Sequence, residues 1–556
     1  MPEEDSGDNE KEDEANEPAT KRAKAAQKDE PQRTWKKEDI SYPPLPDFTH
    51  SAPDAIRSPF EYFQDMFPMT LVEDIVHQTN LYARLKNINT PFQMEEHELM
   101  VFIGIVLYMG VCTLPSIEDY WGTLTRVTQV ADAMSSKRFR LIRSILHFNN
   151  NENIHGTADR FFKVRPLYDS LTRQFLKVKE TPTHSIDEVM VAYKGTRAGT
   201  LRRSIPTGQD KCGFKLFCRA SSDGFIHDIL MYQGETTFTS HHTMLSQGES
   251  QMPFSTKTVL ALAKTINRPD PTIYADNFFT SIELVEYLKD NLGCRYVGTA
   301  RDNRVGHAPL ISPKELDKKT TPRGKYDYCS SNGILALRWK DNKNVTVLSS
   351  DVGVKPVGKV KRYDRYSKKK VEVPCPNVVK QYNKMGGINK SDMLTHLYKS
   401  PMRARRWYMR LFGYALDLSV CNAWILYKRD CRALGKSPIF LKFFRLDISR
   451  FALSHKTMGS SRRTRASSNQ PMTIPRRGQF AELPSDRPSH SSKPHLPIFV
   501  RRRLTCKHCS TKATLHRTRW MCDVCQIALC LSDNRNCFRL FHTPPAELSD
   551  RSISEL

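Results

Sequence analysis

The chain lacks what a membrane-spanning or secreted protein needs. No apolar run reaches about 18 residues, the length that crosses a bilayer. The longest, Leu99–Met109, is entered by Glu95, Glu96 and Glu98 and reads as a buried helix. No signal peptide opens the sequence, so its 14 cysteines are expected in a reducing compartment, where clustered thiols bind zinc more readily than they form disulfides. Acidic residues are in deficit: 60 Asp and Glu face 85 Lys and Arg, a formal net charge of +25. A polyanionic partner is expected, nucleic acid rather than membrane. At 556 residues the chain can form roughly two to four domains whose cores need no disulfides.

Residues 1–54 begin acidic, turn basic at Lys21-Arg22-Ala23-Lys24 and hold almost no apolar content, which predicts a disordered tail. The basic cluster reads either as a nuclear import signal or as a solvated charge run; Arg462–Arg465 supplies a second basic stretch. From 55 to 180 apolar residues recur at helical spacing, as in Phe60, Phe63, Met66 and Phe67, or Phe139, Ile142 and Ile145. Lys137, Arg138, Arg140 and Arg143 share the latter helix and form either a solvated face or a DNA-facing one.

Between 181 and 300 the pattern changes to strands. Ser185–Tyr193, Gly213–Arg219 and Phe225–Gly234 are rich in Val, Ile and Phe and separated by turn residues. A helix (Thr256–Ile266), a strand (Thr272–Ala275), a helix (Ser281–Asp290) and a strand (Arg295–Thr299) follow. That order is what an RNase H-like core requires. Asp187 on the first strand and Asp276 at the end of the fourth would be neighbours in such a sheet, and two adjacent carboxylates repel unless a divalent cation lies between them. The competing reading is that each acid only caps a strand end or a turn.

Basic residues surround these acids. Lys194, Arg197, Arg202, Arg203, Lys211 and Lys215 border the first two strands, while Arg403, Arg405, Arg406 and Arg410 flank Trp407 and Tyr408 on an expected helix. Arg and Lys neutralise phosphates and aromatics stack on bases, although Trp407 also fits a core stripe with Leu411 and Tyr414. Short strands at Lys325–Cys329, Ile334–Trp339 and Val345–Ser349 lead into a basic stretch, Lys355–Lys370, that would track a DNA backbone or serve only as a linker. Residues 454–500 are Ser-, Pro- and Arg-rich and read as a tether. Beyond it Cys506, Cys509, Cys522, Cys525, Cys530, Cys537 and His542 have zinc-ligand spacing. Two tetrahedral sites need an eighth ligand, for which His516 is the candidate and His508 the alternative, unless one site is incomplete.

SIDEVMVAYKG at Ser185, RFFKVRP at Arg160, YADNFFTS at Tyr274, WKDNKNVTVLSS at Trp339 and VPCPNVVKQYNKMGGINKSDM at Val373 resemble successive blocks of the piggyBac transposase family, in order. RARRWYMRLFGYALDLSVCNAWILYKRD at Arg403 and the Cys-rich end extend the resemblance over roughly residues 55 to 545. It implies an α/β and α multidomain protein: an RNase H-like catalytic core (181–300 and 376–398) with an insertion domain (301–375), a mostly helical dimerisation and DNA-binding domain (55–180 and 399–453), and a cross-braced zinc module (501–545). It further implies a nuclear homodimer acting on DNA at TTAA targets and terminal repeats, with Mg2+ as well as Zn2+ and no membrane partner.

Carried over by position, the metal-binding acids of the family fall on Asp187 and Asp276. The third belongs in a GGVD or GGID block that here reads Gly386-Gly387-Ile388-Asn389, and a further acid follows as Asp392. Asn keeps a carbonyl oxygen but not the charge that a hard cation prefers. Three readings follow. The first is a transposase-derived DNA-binding protein whose cleavage is lost or weakened. The second is an active transposase that uses Asp392 as substitute ligand. The third is a zinc-module chromatin reader or ubiquitin-ligase adaptor. Asn389 also reads as the cap of a helix beginning near Lys390.

Overall fold

The computed structural model describes residues 33–45, 48–86, 92–154, 156–204, 212–364, 367–402, 405–454, 495–511, 514–525, 527–532 and 534–542. The chain divides into two units, Met1–Ser460 and Ser461–Leu556. The first is organised by β1 (Thr183–Ala192), β2 (Arg203–Ser204), β3 (Cys212–Ser221), β4 (Ile226–Met231), β5 (Thr272–Ala275), β6 (Arg295–Thr299), β7 (Tyr326–Ser331), β8 (Ile334–Lys340) and β9 (Asn344–Ser349). They form one mixed sheet in the order β2-β3-β1-β5-β6-β9-β8-β7, with β4 also on β3. β1 is antiparallel to β3 but parallel to β5, and β5 is parallel to β6. Parallel neighbours need a crossover; the Ile282–Leu292 helix supplies it between β5 and β6.

Successive strand residues point to opposite faces, and the two faces bury different layers. Val189, Val191, Leu216, Cys218 and Ile229 share a core with the helices Pro59–Met66, Glu96–Val111, Tyr408–Ala433 and Leu441–Ser454. Ile186, Phe217 and Leu230 instead meet Val259 and Leu262 of the Phe254–Ala263 helix and Val285 and Leu288 of Ile282–Leu292. The Glu96–Val111 helix is buried over most of its length, as its unbroken apolar run requires, and Glu96 and Glu98 sit at its positive N-terminal end. Glu98 takes hydrogen bonds from Arg138 at 2.5 and 2.6 Å, so part of the basic face on the Ser136–Ile145 helix serves helix packing.

Three expectations change. Of the tail expected to be disordered, residues 33–45 dock on the sheet unit, while 1–32 and 46–47 lie outside the described residues. Arg33 donates to Glu286 at 2.7 and 2.8 Å, the Trp35 ring packs on the core, and Asp39 accepts the backbone N–H of Val354 and Lys355. Average composition hides such isolated anchors. Segment 301–375 does not stand apart: β9 pairs with β6, so β7–β9 extend the main sheet. Its basic stretch contributes to a two-stranded ribbon, β10 (Gly358–Asp364) with β11 (Lys369–Cys375). Finally, the helix expected to carry Arg405 and Arg406 begins only at Tyr408.

The second unit holds a ribbon of β12 (Pro497–Thr505) and β13 (Arg517–Cys522) and a short helix, Cys537–His542. It starts inside the segment read as tether; the rest of that tether, 455–494, lies outside the described residues.

Candidate functional site

Ile186 of β1 stands opposite Ala275 of β5, so the next residue of each strand, Asp187 and Asp276, falls in one row at the end of the parallel pair. Both line a cleft of about 250 Å3 together with Tyr382, Gly386, Gly387 and Asn389. Burial, then the charges of Asp276 and Glu188, pushes the Asp187 carboxyl up to about 7 against the lowering effect of the Glu188 backbone N–H. Burial also raises Asp276, with Glu188 adding repulsion and the Phe278 backbone N–H opposing it. Lys215 on β3 pairs with Glu188 and answers part of this negative charge. Two carboxyls whose charged forms are both disfavoured in one cleft stand where a divalent cation would favour their ionisation.

Asn389 reaches the cleft on the Gly387–Leu397 helix. A Cβ at Gly387 would stand 2.3 Å from the Ser221 carbonyl oxygen and 2.7 Å from Ser185 Oγ, so only glycine lets this helix press on β1 and β3. Ser185 Oγ accepts the Ile388 N–H at 3.2 Å, and Lys390 Nζ donates to the Ser222 carbonyl at 2.6 Å. These contacts fix the turn that carries Asn389. The N-cap position is Gly386, so Asn389 is the third residue of the helix and not, as expected, the cap of a helix beginning near Lys390. Asp392 is not brought to the cleft. It pairs with His396 at 3.4 Å, and Asp187, Asp276 and Asp392 are not among the groups whose ligand atoms lie within 4.8 Å of one another in the described residues.

The basic residues divide. Lys194, Arg197, Arg405 and Arg410 line one pocket of about 480 Å3 with Tyr193. Arg202 donates to the Lys194 and Gly195 carbonyls at 3.4 Å, and Arg203 lies over the Tyr232 ring. Arg406 donates to the Leu146 carbonyl at 2.9 Å and to Tyr408 Oη at 2.8 Å, and Trp407 packs on Phe161 and Phe214, so this pair ties helices to the sheet. Lys211 and Arg403 lie outside the described residues.

In the second unit eight side chains gather into two groups: Cys506, Cys509, Cys530 and Cys537, and His495, Cys522, Cys525 and His542. Their members interleave along the chain, which makes a cross-brace. His495 Nδ1 lies 3.4 and 3.2 Å from the sulfurs of Cys522 and Cys525, and His542 Nε2 is 3.3 Å from Cys525 Sγ. His542 Nδ1–H donates to the Phe538 carbonyl at 2.8 Å, leaving Nε2 for a metal. Burial and the neighbouring Cys522 push the Cys525 thiol up to about 11. Both groups have the soft donors and the count that suit zinc. His516 is not in either group; its Nδ1 meets Arg535, and His508 is exposed. His495 takes the place expected for His516. It sits eleven residues before Cys506, in sequence that resembles tether; the unfilled eighth donor position is the signal in the sequence that points to it.

A family profile described as Transposase IS4 matches residues 58–424. Human PiggyBac transposable element-derived protein 2 is 34% identical over 443 residues, 77% of this chain and 72% of that protein. Human PiggyBac transposable element-derived protein 3 is 31% identical over 434 residues, 76% of this chain and 70% of that protein. The structure of a piggyBac transposase synaptic complex with hairpin DNA shares the fold at a TM-score of 0.61 and 20% identity, over 86% of this chain and 95% of that one. Family profile, relatives and fold agree: the chain belongs to the piggyBac transposase family.

Proposed function

We propose that this chain is a transposase-derived nuclear DNA-binding protein in which strand cleavage at TTAA sites is lost or weakened. In this reading the sheet from β1 to β6 is an RNase H-like core, the helices of 55–180 and 399–453 dimerise the chain and grip DNA, and the Cys/His unit holds two zinc ions. The observation that carries it is that Asn389, a neutral amide, lines the cleft with Asp187 and Asp276 at the position where the family resemblance implies a third acid. Asp187 and Asp276 suit a hard divalent cation, Mg2+ in this family, which when bound stabilises charge on the attacking and leaving oxygens of phosphoryl transfer. Asn389 presents a carbonyl oxygen without charge and an NH2 that a cation repels. Disturbing even the groups that orient ligands costs about 10–100-fold in affinity or activity, so losing a ligand costs at least that. Substitution by Asp392 finds no support in its pairing with His396. DNA binding asks less of the chain: the pocket of Lys194, Arg197, Arg405 and Arg410 needs only to neutralise phosphates.

The test compares the full native chain with Asn389→Asp on a labelled duplex carrying a TTAA-flanked element end in Mg2+. Both should bind it equally, and the native chain should cleave at least about tenfold more slowly. Equal cleavage by the two chains would sink the proposal.

A further inference from the structure

We propose that Asp228, His241 and His242 form a binding site for a divalent transition-metal ion, zinc foremost, that clamps the loop after β4 onto the sheet. Asp228 is fully buried on β4, while the His241 side chain is 3% and that of His242 43% exposed. His241 Nε2 lies 3.4 Å from Asp228 Oδ1 and His242 Nε2 lies 3.5 Å from Oδ2. The two rings are 4.0 Å apart, and the three ligand atoms fall within 4.8 Å of one another. Charge-assisted hydrogen bonds run at roughly 2.7–2.9 Å, so these contacts are long for that purpose. They match the edge of a tetrahedron, about 3.4 Å for ligands at roughly 2.0–2.1 Å from a zinc ion.

The surroundings fit a ligating carboxylate. The Ile229 N–H donates to Oδ1 at 2.7 Å and Thr265 Oγ1 to Oδ2 at 2.8 Å, and Arg219 in turn donates to Thr265 Oγ1 at 3.1 Å. Such outer contacts orient a metal ligand. Neutral His241 and His242 can each turn an Nε2–H to a different oxygen of Asp228, but at 3.4 and 3.5 Å both contacts are long, whereas a single dication serves all three groups. Two features oppose capture and are overcome only by the ion's charge. Thr243 N–H donates to His241 Nδ1 at 3.3 Å, which leaves the neutral ring's proton on Nε2; ligation through Nε2 must move that proton to Nδ1 and turn the Thr243 amide away. Arg219 is positive, but Glu180 holds its guanidinium at 2.6 Å. The exposed edge of His242 leaves an approach and a fourth position, the arrangement of two His and one carboxylate that takes zinc or iron(II). Asp228 stands opposite Arg219, which stands opposite Ile186. The site is therefore on the other sheet face from Asp187, and it does not depend on the function proposed above.

The full-length chain, stripped with chelator and reloaded with Zn2+, is compared with His242→Gln, whose amide keeps a donor for Asp228, and with Asp228→Asn. Metal is counted per chain, and Co2+ loading separates this site from the cysteines, since thiolate ligands alone give a strong charge-transfer band. Each variant should hold one ion fewer per chain with the thiolate band unchanged. Equal metal content in the native chain and both variants overturns the proposal, and so does an ion lost together with the thiolate band.

Discussion

Replacing Asp187 with Asn should stabilise the metal-free chain at neutral pH and above, because the native carboxylate is costly to ionise in its cleft. Its pKa rises from 3.8 to about 7, chiefly through burial. Across that interval the folded chain keeps a proton that the unfolded chain has lost, so stability falls as pH rises. The cost is absent below the unfolded value and complete above the folded one. A shift of about 3 pH units at about 1.36 kcal/mol each is ~4 kcal/mol. Asp187 is only partly covered, so solvent reduces this figure. Asn keeps the oxygen that accepts the Glu188 N–H at 2.8 Å, which removes charge without removing the contact. Urea unfolding followed by tryptophan fluorescence should show the variant gaining on the native chain by ~1–3 kcal/mol between about pH 5 and 8. Mg2+ should narrow the gap, since only the native pair of carboxylates binds it well. A gap that is constant with pH, or a variant less stable than the native chain at about pH 8, would refute the account of Asp187 as a buried acid.

Gly387→Ala should cost ~1–3 kcal/mol, because its Cβ meets the backbone oxygen of Ser221 and the midpoint of urea unfolding should fall accordingly. Arg445 is 2% exposed and donates to Asp417 at 2.8 Å, to Ser400 Oγ at 2.8 Å and to the Leu107 carbonyl at 3.1 Å. Arg445→Ala strands a buried carboxylate and should cost ~3–5 kcal/mol, part of which Asp417→Asn in the same chain should restore. His147 is lowered from 6.5 to about 4, first by burial. Its contribution to stability is intact above the unfolded value and declines as pH falls towards the folded one, by up to ~3 kcal/mol. His147→Gln should flatten that acid limb in pH-dependent unfolding; an unchanged limb would assign it to other groups.

How much of this was legible in the sequence differs by residue. The strands ending at Ala275 and Thr299 are legible because short runs rich in β-branched and aromatic residues between turn residues are a local signal, and both strands are buried along almost their whole length. Asn389 is legible as an amide where the family resemblance implies an acid, and paired CxxC spacings mark a candidate metal-binding end, since residue identity and short spacing survive without a fold. The sequence also determined the net positive charge of +25. Tertiary structure alone decided which side chains meet. Strand register sets Asp187 beside Asp276, while the helix turn directs Asp392 to His396 and away from the cleft. His495 joins Cys522 from 27 residues upstream, and Asp228 meets His241 and His242 because the loop after β4 folds back. Arg406 and Trp407, read as DNA contacts, are held by the Leu146 carbonyl and by Phe214. Periodicity reports which face of an element is covered; convergence of distant side chains depends on register and packing over many residues, and no local pattern carries that information.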